Sequence, residues 1–204
     1  MENRFELVKA LLNIEAVQIN PDHYFTWTSG LKSPIYCDNR LTMGHPDLRD
    51  KIAESFSLEC KTFDFDPEVI AGCATAGIPH AAWLAGMLHL PMVYVRSKPK
   101  EHGKGNQIEG PITQGQRVVV IEDLISTGNS AIQSAKALQE AGANVLGVLA
   151  IFSYGLTQAK ENFAEAGLTF KSLTNFDVLI ELLENEGAID VVQKDRLIDW
   201  RASL

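Results

Sequence analysis

Val118-Val119-Val120-Ile121-Glu122-Asp123-Leu124-Ile125-Ser126-Thr127-Gly128-Asn129-Ser130 is the stretch from which the fold class follows. Its opening β-branched run is short, unbroken and flanked by polar residues, which suits a parallel strand covered on both faces by crossover helices. The hydroxyl-and-glycine segment leads into a helical pattern that runs through Gly142, and so reads as an anion-binding turn at a helix N-terminus. In sheets of this kind ligands bind at the carboxyl ends of the strands.

The chemistry of the turn is specific. Ser126, Thr127 and Ser130 supply hydroxyl donors, and Gly128 lets the backbone turn so that consecutive N–H groups point at one anion. A phosphate monoester fits such a cup. Glu122 and Asp123 cannot be direct phosphate ligands, because like charges repel strongly in a cleft of low dielectric. They must face something neutral or cationic, such as ribose hydroxyls or a hydrated Mg²⁺. A buried strand ending in solvated carboxylates, followed by a capped helix, explains each residue separately but not their order.

Outward from this stretch, the chain of 204 residues suits one domain with a sizeable core, residues 1–204, and shows no internal repeat. Lysine plus arginine number 18 against 26 acids, a formal charge of -8, which argues against a surface built to track nucleic acid. Anionic substrates would therefore need a local cationic patch. Cys37, Cys60 and Cys73 are odd in number and have no zinc-like spacing, consistent with free thiols in a reducing compartment. The N-terminus leads into an amphipathic pattern rather than a secretion signal. The longest apolar region, residues 81–95, falls short of the roughly 20 residues a membrane span needs. A soluble cytoplasmic protein with no membrane partner is the expectation.

Phe5, Leu7, Val8, Leu11, Leu12 and Ile14 recur at helical spacing and predict a helix docked on the domain. Residues 23–38 carry β-formers on each side of Ser29-Gly30, then Ser33-Pro34, and read as a hairpin. Hairpin packing alone would account for Phe25, Trp27 and Tyr36. A second helix spans 46–60, and 69–73 is a short buried strand ending in Ala74-Thr75-Ala76-Gly77, a loop that opens a helix through Leu90. Such small-residue turns can receive an anion but are common. A third strand, 92–95, enters a polar, glycine-punctuated segment, 96–110, that is the densest cationic patch of the chain and has the length of an active-site lid. Residues 144–152 form another buried strand, 168–173 an edge strand, and 176–183 and 190–200 helices that look like packing elements.

A hydrophobic strand, acidic pair and Thr-Gly loop at this spacing resemble the signature of the type I phosphoribosyltransferases, which bind 5-phosphoribosyl 1-diphosphate (PRPP). Ser-Gly, Ser-Pro and the aromatics of 23–38 resemble the N-terminal hood of the orotate members of that family. Arg96-x-x-x-Lys100-x-His102-Gly103 resembles their catalytic lid. The resemblance implies an α/β fold: a central mostly parallel sheet flanked by helices, with a helix and base-covering hood over about residues 1–45 and a mobile lid over 96–110. It also implies transfer of the phosphoribosyl group from PRPP to orotate.

By resemblance, Lys100, His102 and Asp123 are catalytic. PRPP would be held by Arg96, Lys100, His102, Glu122, Asp123, Leu124, Ile125, Ser126, Thr127, Gly128, Asn129, Ser130, Thr75 and Ala76. Orotate would meet Ser126, Lys32 and Tyr36. Mg²⁺ would be held mainly by the substrate, with Glu122 and Asp123 nearby, and the protein would be a homodimer whose sites are shared across the interface. Three positions depart from the pattern. Ala76 stands where many orotate enzymes have a lysine, so backbone N–H groups and Thr75 must contribute more to the leaving group. Ser97 replaces a lid lysine, with Lys98 one residue on, and whether Lys98 substitutes stays open. Near Ser153-Tyr154-Gly155-Leu156, where some orotate enzymes carry an arginine for the base carboxylate, there is none, which makes Lys32 the candidate. Two other readings compete: a purine phosphoribosyltransferase, and a PRPP-sensing regulator without catalysis.

Overall fold

The β-branched run lies inside a six-stranded sheet. The computed structural model describes residues 2–26, 30, 32–98 and 107–204. In chain order its elements are α1 (Glu2–Asn13), β1 (Val17–Ile19), β2 (Phe25–Thr26), β3 (Lys32–Ser33), β4 (Ile35–Cys37), a 3₁₀ turn (Asn39–Gly44), α2 (Pro46–Cys60), β5 (Val69–Cys73), α3 (Gly77–Leu88) and β6 (Met92–Val95). Then follow β7 (Ile108–Glu109), β8 (Arg117–Ile125), α4 (Asn129–Glu140), β9 (Asn144–Ser153), α5 (Thr157–Glu165), β10 (Phe170–Asn175), α6 (Phe176–Asn185) and α7 (Val191–Ala202). The large sheet has the order β10-β9-β8-β5-β6-β7. All its pairings are parallel except that of β6 with β7.

Helices on both faces explain why the central strands are apolar throughout. All of β5 is buried, and Val118, Val119, Val120 and Ile121 are fully inaccessible. Each such side chain contributes about 1.5–3 kcal/mol through burial. The helices obey local rules. α2 begins with Pro46 and Asp47, residues suited to a helix start, and buries Leu48, Ile52, Ala53, Phe56 and Cys60 along one side. α3 ends where His89 takes a left-handed conformation at φ 54. α7 starts with a reciprocal capping box between Asp190 and Gln193.

Three features differ from the reading of the sequence. β8 does not stop at the acidic pair but continues to Ile125, because β9 pairs with it as far as Ile125 and Ser153. The segment 96–110, read as loop throughout, ends in β7, which pairs antiparallel with β6 through Tyr94 and Glu109. α5 and β1 had no expectation attached; α5 is short and polar on its exposed side, and β1 has only three residues.

The N-terminal hood is two small antiparallel pairings, β1 with β4 and β2 with β3. The C-terminal helix props it. Trp200 Nε1 donates to the Lys32 carbonyl at 3.2 Å, Gln193 Nε2 donates to Asp22 at 3.1 Å, and Arg196 pairs with Asp22 at 3.2 Å. α1 docks on the domain as predicted, and does so at the β10 edge of the sheet, with Thr174 Oγ1 donating to the Arg4 carbonyl and Lys9 paired with Glu186 at 2.7 Å.

Candidate active site

The chain leaves β5 toward one edge, through α3 to β6, and returns to the other side of β5 as β8. The strand order therefore reverses between β5 and β8, and the crevice at their carboxyl ends is where an open α/β sheet receives a ligand. β5 pairs with β8 only as far as Gly72 and Ile121, so Glu122 and Asp123 project beyond the shorter strand. α3 starts close against this point: a Cβ on Gly77 would strike the Ile121 carbonyl, so the first helical residue must be glycine.

Glu122 and Asp123 are successive residues of β8, and their carboxyl groups stay close enough to interact directly. Glu122, 7% exposed, lines a cup of about 100 Å³ formed with residues 124–131. Asp123 lines a separate cleft of about 660 Å³ with Cys37, Asp38, Arg40, Met43, Thr75, Ala76 and Pro79. Burial first, and then the adjacent Asp123, push the Glu122 carboxyl up to about 9. Burial raises Asp123 as well. The Asp123 backbone N–H donates to Glu122 Oε1 at 2.9 Å, which fixes the Glu122 carboxyl against the main chain of β8.

The cup has the features of an anion site. Gly128 has φ 82 and heads α4, and no side chain caps that helix, so its first N–H groups remain available. A Cβ on Gly128 would lie 2.5 Å from the Phe163 ring, so the turn is packed down on α5. Asn162 Nδ2, also from α5, donates to the Thr127 carbonyl at 2.9 Å. α5 thus shapes the loop from beneath. Asn162 was missed from sequence because nothing about a polar helical residue reveals what lies above it.

Thr75 and Ala76 form the turn between β5 and α3, whose N-terminus likewise has no side-chain cap. The Ala74–Thr75 peptide is cis. Arg96 lies at the start of the cationic segment: its N–H donates to the Gln107 carbonyl at 2.9 Å, Gln107 Nε2 returns a 2.7 Å bond to the Arg96 carbonyl, and Glu109 lies 3.7 Å from its guanidinium. Lys100 and His102 lie outside the described residues, as do Trp27, Thr28, Ser29 and Leu31 of the hood. Lys32 and Tyr36 are exposed on the hood, Tyr36 tilted against Phe25 at 6.1 Å, and neither lines the cleft that holds Asp123.

Two site residues carried no sequence signal. Asn39 is fully buried, and its Nδ2 donates to the Asp123 carbonyl at 2.7 Å, tying the hood to the end of β8. Arg40 stands in the cleft, gripped by Asp38 through Nε at 2.6 Å and Nη2 at 2.7 Å. Where an arginine was sought after β9, the buried Tyr154 is found. Burial raises its hydroxyl pKa, with Cys37 and Asp123 close by.

Residues 44–170 match the model of the phosphoribosyl transferase domain. A curated relative from Oceanobacillus iheyensis named orotate phosphoribosyltransferase is 60% identical over 199 residues, covering 98% of each chain. One of the same name from Fusobacterium nucleatum is 55% identical over 206 residues, covering 100% of this chain and 97% of that one. Among solved structures, the orotate phosphoribosyltransferase from Aeropyrum pernix superposes with a TM-score of 0.76 at 32% identity, covering 90% of this chain and 99% of that one.

Proposed function

The chain belongs to the phosphoribosyltransferase family, and from that premise we propose that it transfers the 5-phosphoribosyl group of PRPP to orotate, yielding orotidine 5′-phosphate and diphosphate. The observation that carries this reading is the arrangement at the strand-order reversal. An uncapped phosphate cup after β8 and a small-residue turn after β5 lie on either side of one acidic pair. That order of subsites suits a ligand with a phosphate at one end, a diol in the middle and a diphosphate at the other.

The 5′-phosphate takes the cup of residues 126–130, where backbone N–H groups and hydroxyls meet its oxygens. Glu122 borders that cup with its carboxyl pushed up by burial and by Asp123, which lessens the negative charge it sets against the phosphate. Asp123 accepts from the ribose hydroxyls. As diphosphate leaves the anomeric carbon, the ring oxygen stabilises the positive charge that develops, so no covalent nucleophile is needed. Lys100 and His102 of the lid neutralise the leaving group, and closure excludes water that would hydrolyse the sugar. Ser126, Lys32 and Tyr36 receive orotate, which attacks through its ring nitrogen.

Mg²⁺ is the metal of this reading. The carboxylates offer hard oxygen donors, yet no cluster of three or more His, Cys, Asp or Glu among the described residues encloses an ion. Such a donor set suits a cation that keeps most of its waters and rests on substrate oxygens, with Glu122 and Asp123 nearby. When bound, the ion would neutralise diphosphate charge.

The acidic surface supports small-molecule substrates rather than nucleic acid as partners. Among the described residues no helix is long and apolar enough to cross a membrane, and three free cysteines support a reducing, cytoplasmic setting. We place the lid across the two-fold axis of a homodimer. The test of the reaction is direct: purified protein with Mg²⁺ and PRPP is given orotate, uracil, adenine or hypoxanthine in parallel. Orotidine 5′-phosphate from orotate alone is the expected product; nucleotide formed from a purine would replace the reading, and no turnover with any base would indicate a sensor.

A further inference from the structure

The diphosphate turn of this chain, Thr75-Ala76-Gly77, carries no cation, and its backbone N–H groups face a leaving group with several negative charges. The cleft it shares with Asp123 does hold one cation among the described residues, Arg40. We propose that Arg40 is a binding residue for the diphosphate of PRPP, supplying from the hood side the positive charge that the turn lacks at Ala76. The proposal rests on the phosphoribosyl-transfer reading above.

Three observations favour this role over a solvated surface charge. First, Arg40 is positioned. Asp38 accepts from its backbone N–H at 3.2 Å as well as from Nε and Nη2, and so holds the guanidinium plane in place at the start of the 3₁₀ turn. Second, that grip engages only one edge of the guanidinium. Nη1 makes no hydrogen bond within the described structure, which leaves its N–H groups for a bidentate oxyanion. Third, the same cleft holds two carboxylates, Asp38 and Asp123, so without Arg40 the charged groups of its described wall would all be acidic and would repel an anionic ligand. Asp38 is a positioning residue in this scheme, acting through Arg40.

The assignment separates two anions of the substrates. Arg40 shares its cleft with the Thr75–Ala76 turn and Asp123, and neither Lys32 nor Tyr36 lines that cleft, so Arg40 serves the leaving group and not the carboxylate of the base.

The test compares wild type, Arg40→Ala, Arg40→Gln and the double variant Arg40→Ala/Ala76→Lys. It measures inhibition by inorganic diphosphate, KM for PRPP, KM for orotate and thermal midpoint. Arg40→Gln keeps the stem and an N–H for Asp38, which covers the case in which the alanine variant folds poorly. Loss of a charge-assisted contact should weaken inhibition by diphosphate and raise KM for PRPP by roughly tenfold or more, with KM for orotate changed by less than about twofold. A lysine at Ala76 should restore most of the diphosphate inhibition, which a merely structural Arg40 would not allow. Unchanged diphosphate inhibition in a folded Arg40→Gln enzyme overturns the proposal, as does a selective rise in KM for orotate. Wild-type protein that makes no orotidine 5′-phosphate would instead overturn the functional reading.

Discussion

Asn39 Nδ2 lies 2.7 Å from the carbonyl oxygen of Asp123, and this bond joins the end of the hood to the end of the central strand. It fixes the backbone of a residue assigned to the ribose. Its Oδ1 is buried without a partner, so replacing Asn39 removes one unsatisfied acceptor along with one bond. Asn39→Ala should therefore cost only about 1–2 kcal/mol in urea unfolding, while kcat/KM falls by roughly tenfold or more because Asp123 loses its anchor. A variant that loses stability but keeps wild-type kinetics would separate the bond from the chemistry.

Glu122 gives a pH signature. Its carboxyl ordinarily titrates near 4.5 and in the fold is pushed up to about 9 by burial and by Asp123. Between those values the folded state holds a proton that the unfolded state has released, so stability falls as pH rises through that window. The neighbouring Cys73 thiol is raised well above its usual range and Asp123 is raised too, so neither reverses the sign. Urea midpoints of wild type should decline from pH 6.5 to pH 8.5, and Glu122→Gln should flatten that decline. Parallel profiles for the two proteins would mean that Glu122 is ionised in the fold.

Much of this arrangement was legible in the sequence where period and composition agree. The β-branched runs at 69–73 and 118–121 are strands because both faces are covered, and Pro46 with its helical apolar spacing marked α2 to the residue. The order of Glu122, Asp123 and the Thr-Gly turn raised the expectation of an anion site, and the uncapped start of α4 supports it. What escaped was tertiary. The extension of β8 through the acidic pair depends on the length of β9, which no local pattern at 122–125 encodes. Asn39 and Arg40 follow a strand of three residues in the hood, and their proximity to Asp123 spans more than eighty positions of chain.

His80 supplies a second and opposite pH effect. It is 2% exposed, packed edge-on against Trp83 at 5.2 Å, with Thr42 Oγ1 3.4 Å from Nε2 and no partner for Nδ1. Burial lowers its pKa from 6.5 to about 4. The unfolded state then binds the extra proton between those values, so stability is lost as pH falls from 6.5 toward 4, by up to about 3 kcal/mol from this one group. His80→Gln should be less sensitive to acid over that window. An unaltered acid limb in denaturation curves would assign the loss to other groups.

Lys32 is the residue assigned to the orotate carboxylate, and its backbone carbonyl is already held by Trp200. Lys32→Ala leaves that bond intact and removes only the charge. KM for orotate should rise by roughly tenfold or more, with KM for PRPP little changed, since truncating one member of a charge pair costs about 2–5 kcal/mol when the other stays buried. Equal changes in both constants would detach Lys32 from the base.

Sharing of sites between subunits is the remaining test. Arg96 and Gln107 clasp each other beside the pairing of β6 with β7, and the sequence between them has the length of an active-site lid. A loop of that length can reach a neighbour's cleft. If Lys100 serves the partner's Asp123, then Lys100→Ala and Asp123→Asn, each nearly inactive alone, complement each other when mixed under conditions of subunit exchange. A mixed dimer has one site with both lesions and one with neither. Random pairing at equal amounts makes about half of the dimers mixed, so roughly a quarter of wild-type activity should return. A lid serving its own subunit leaves every site damaged whatever the pairing. Activity that stays at the level of the separate variants, with exchange verified by mass-tagged subunits, would place Lys100 and Asp123 of one chain in the same site.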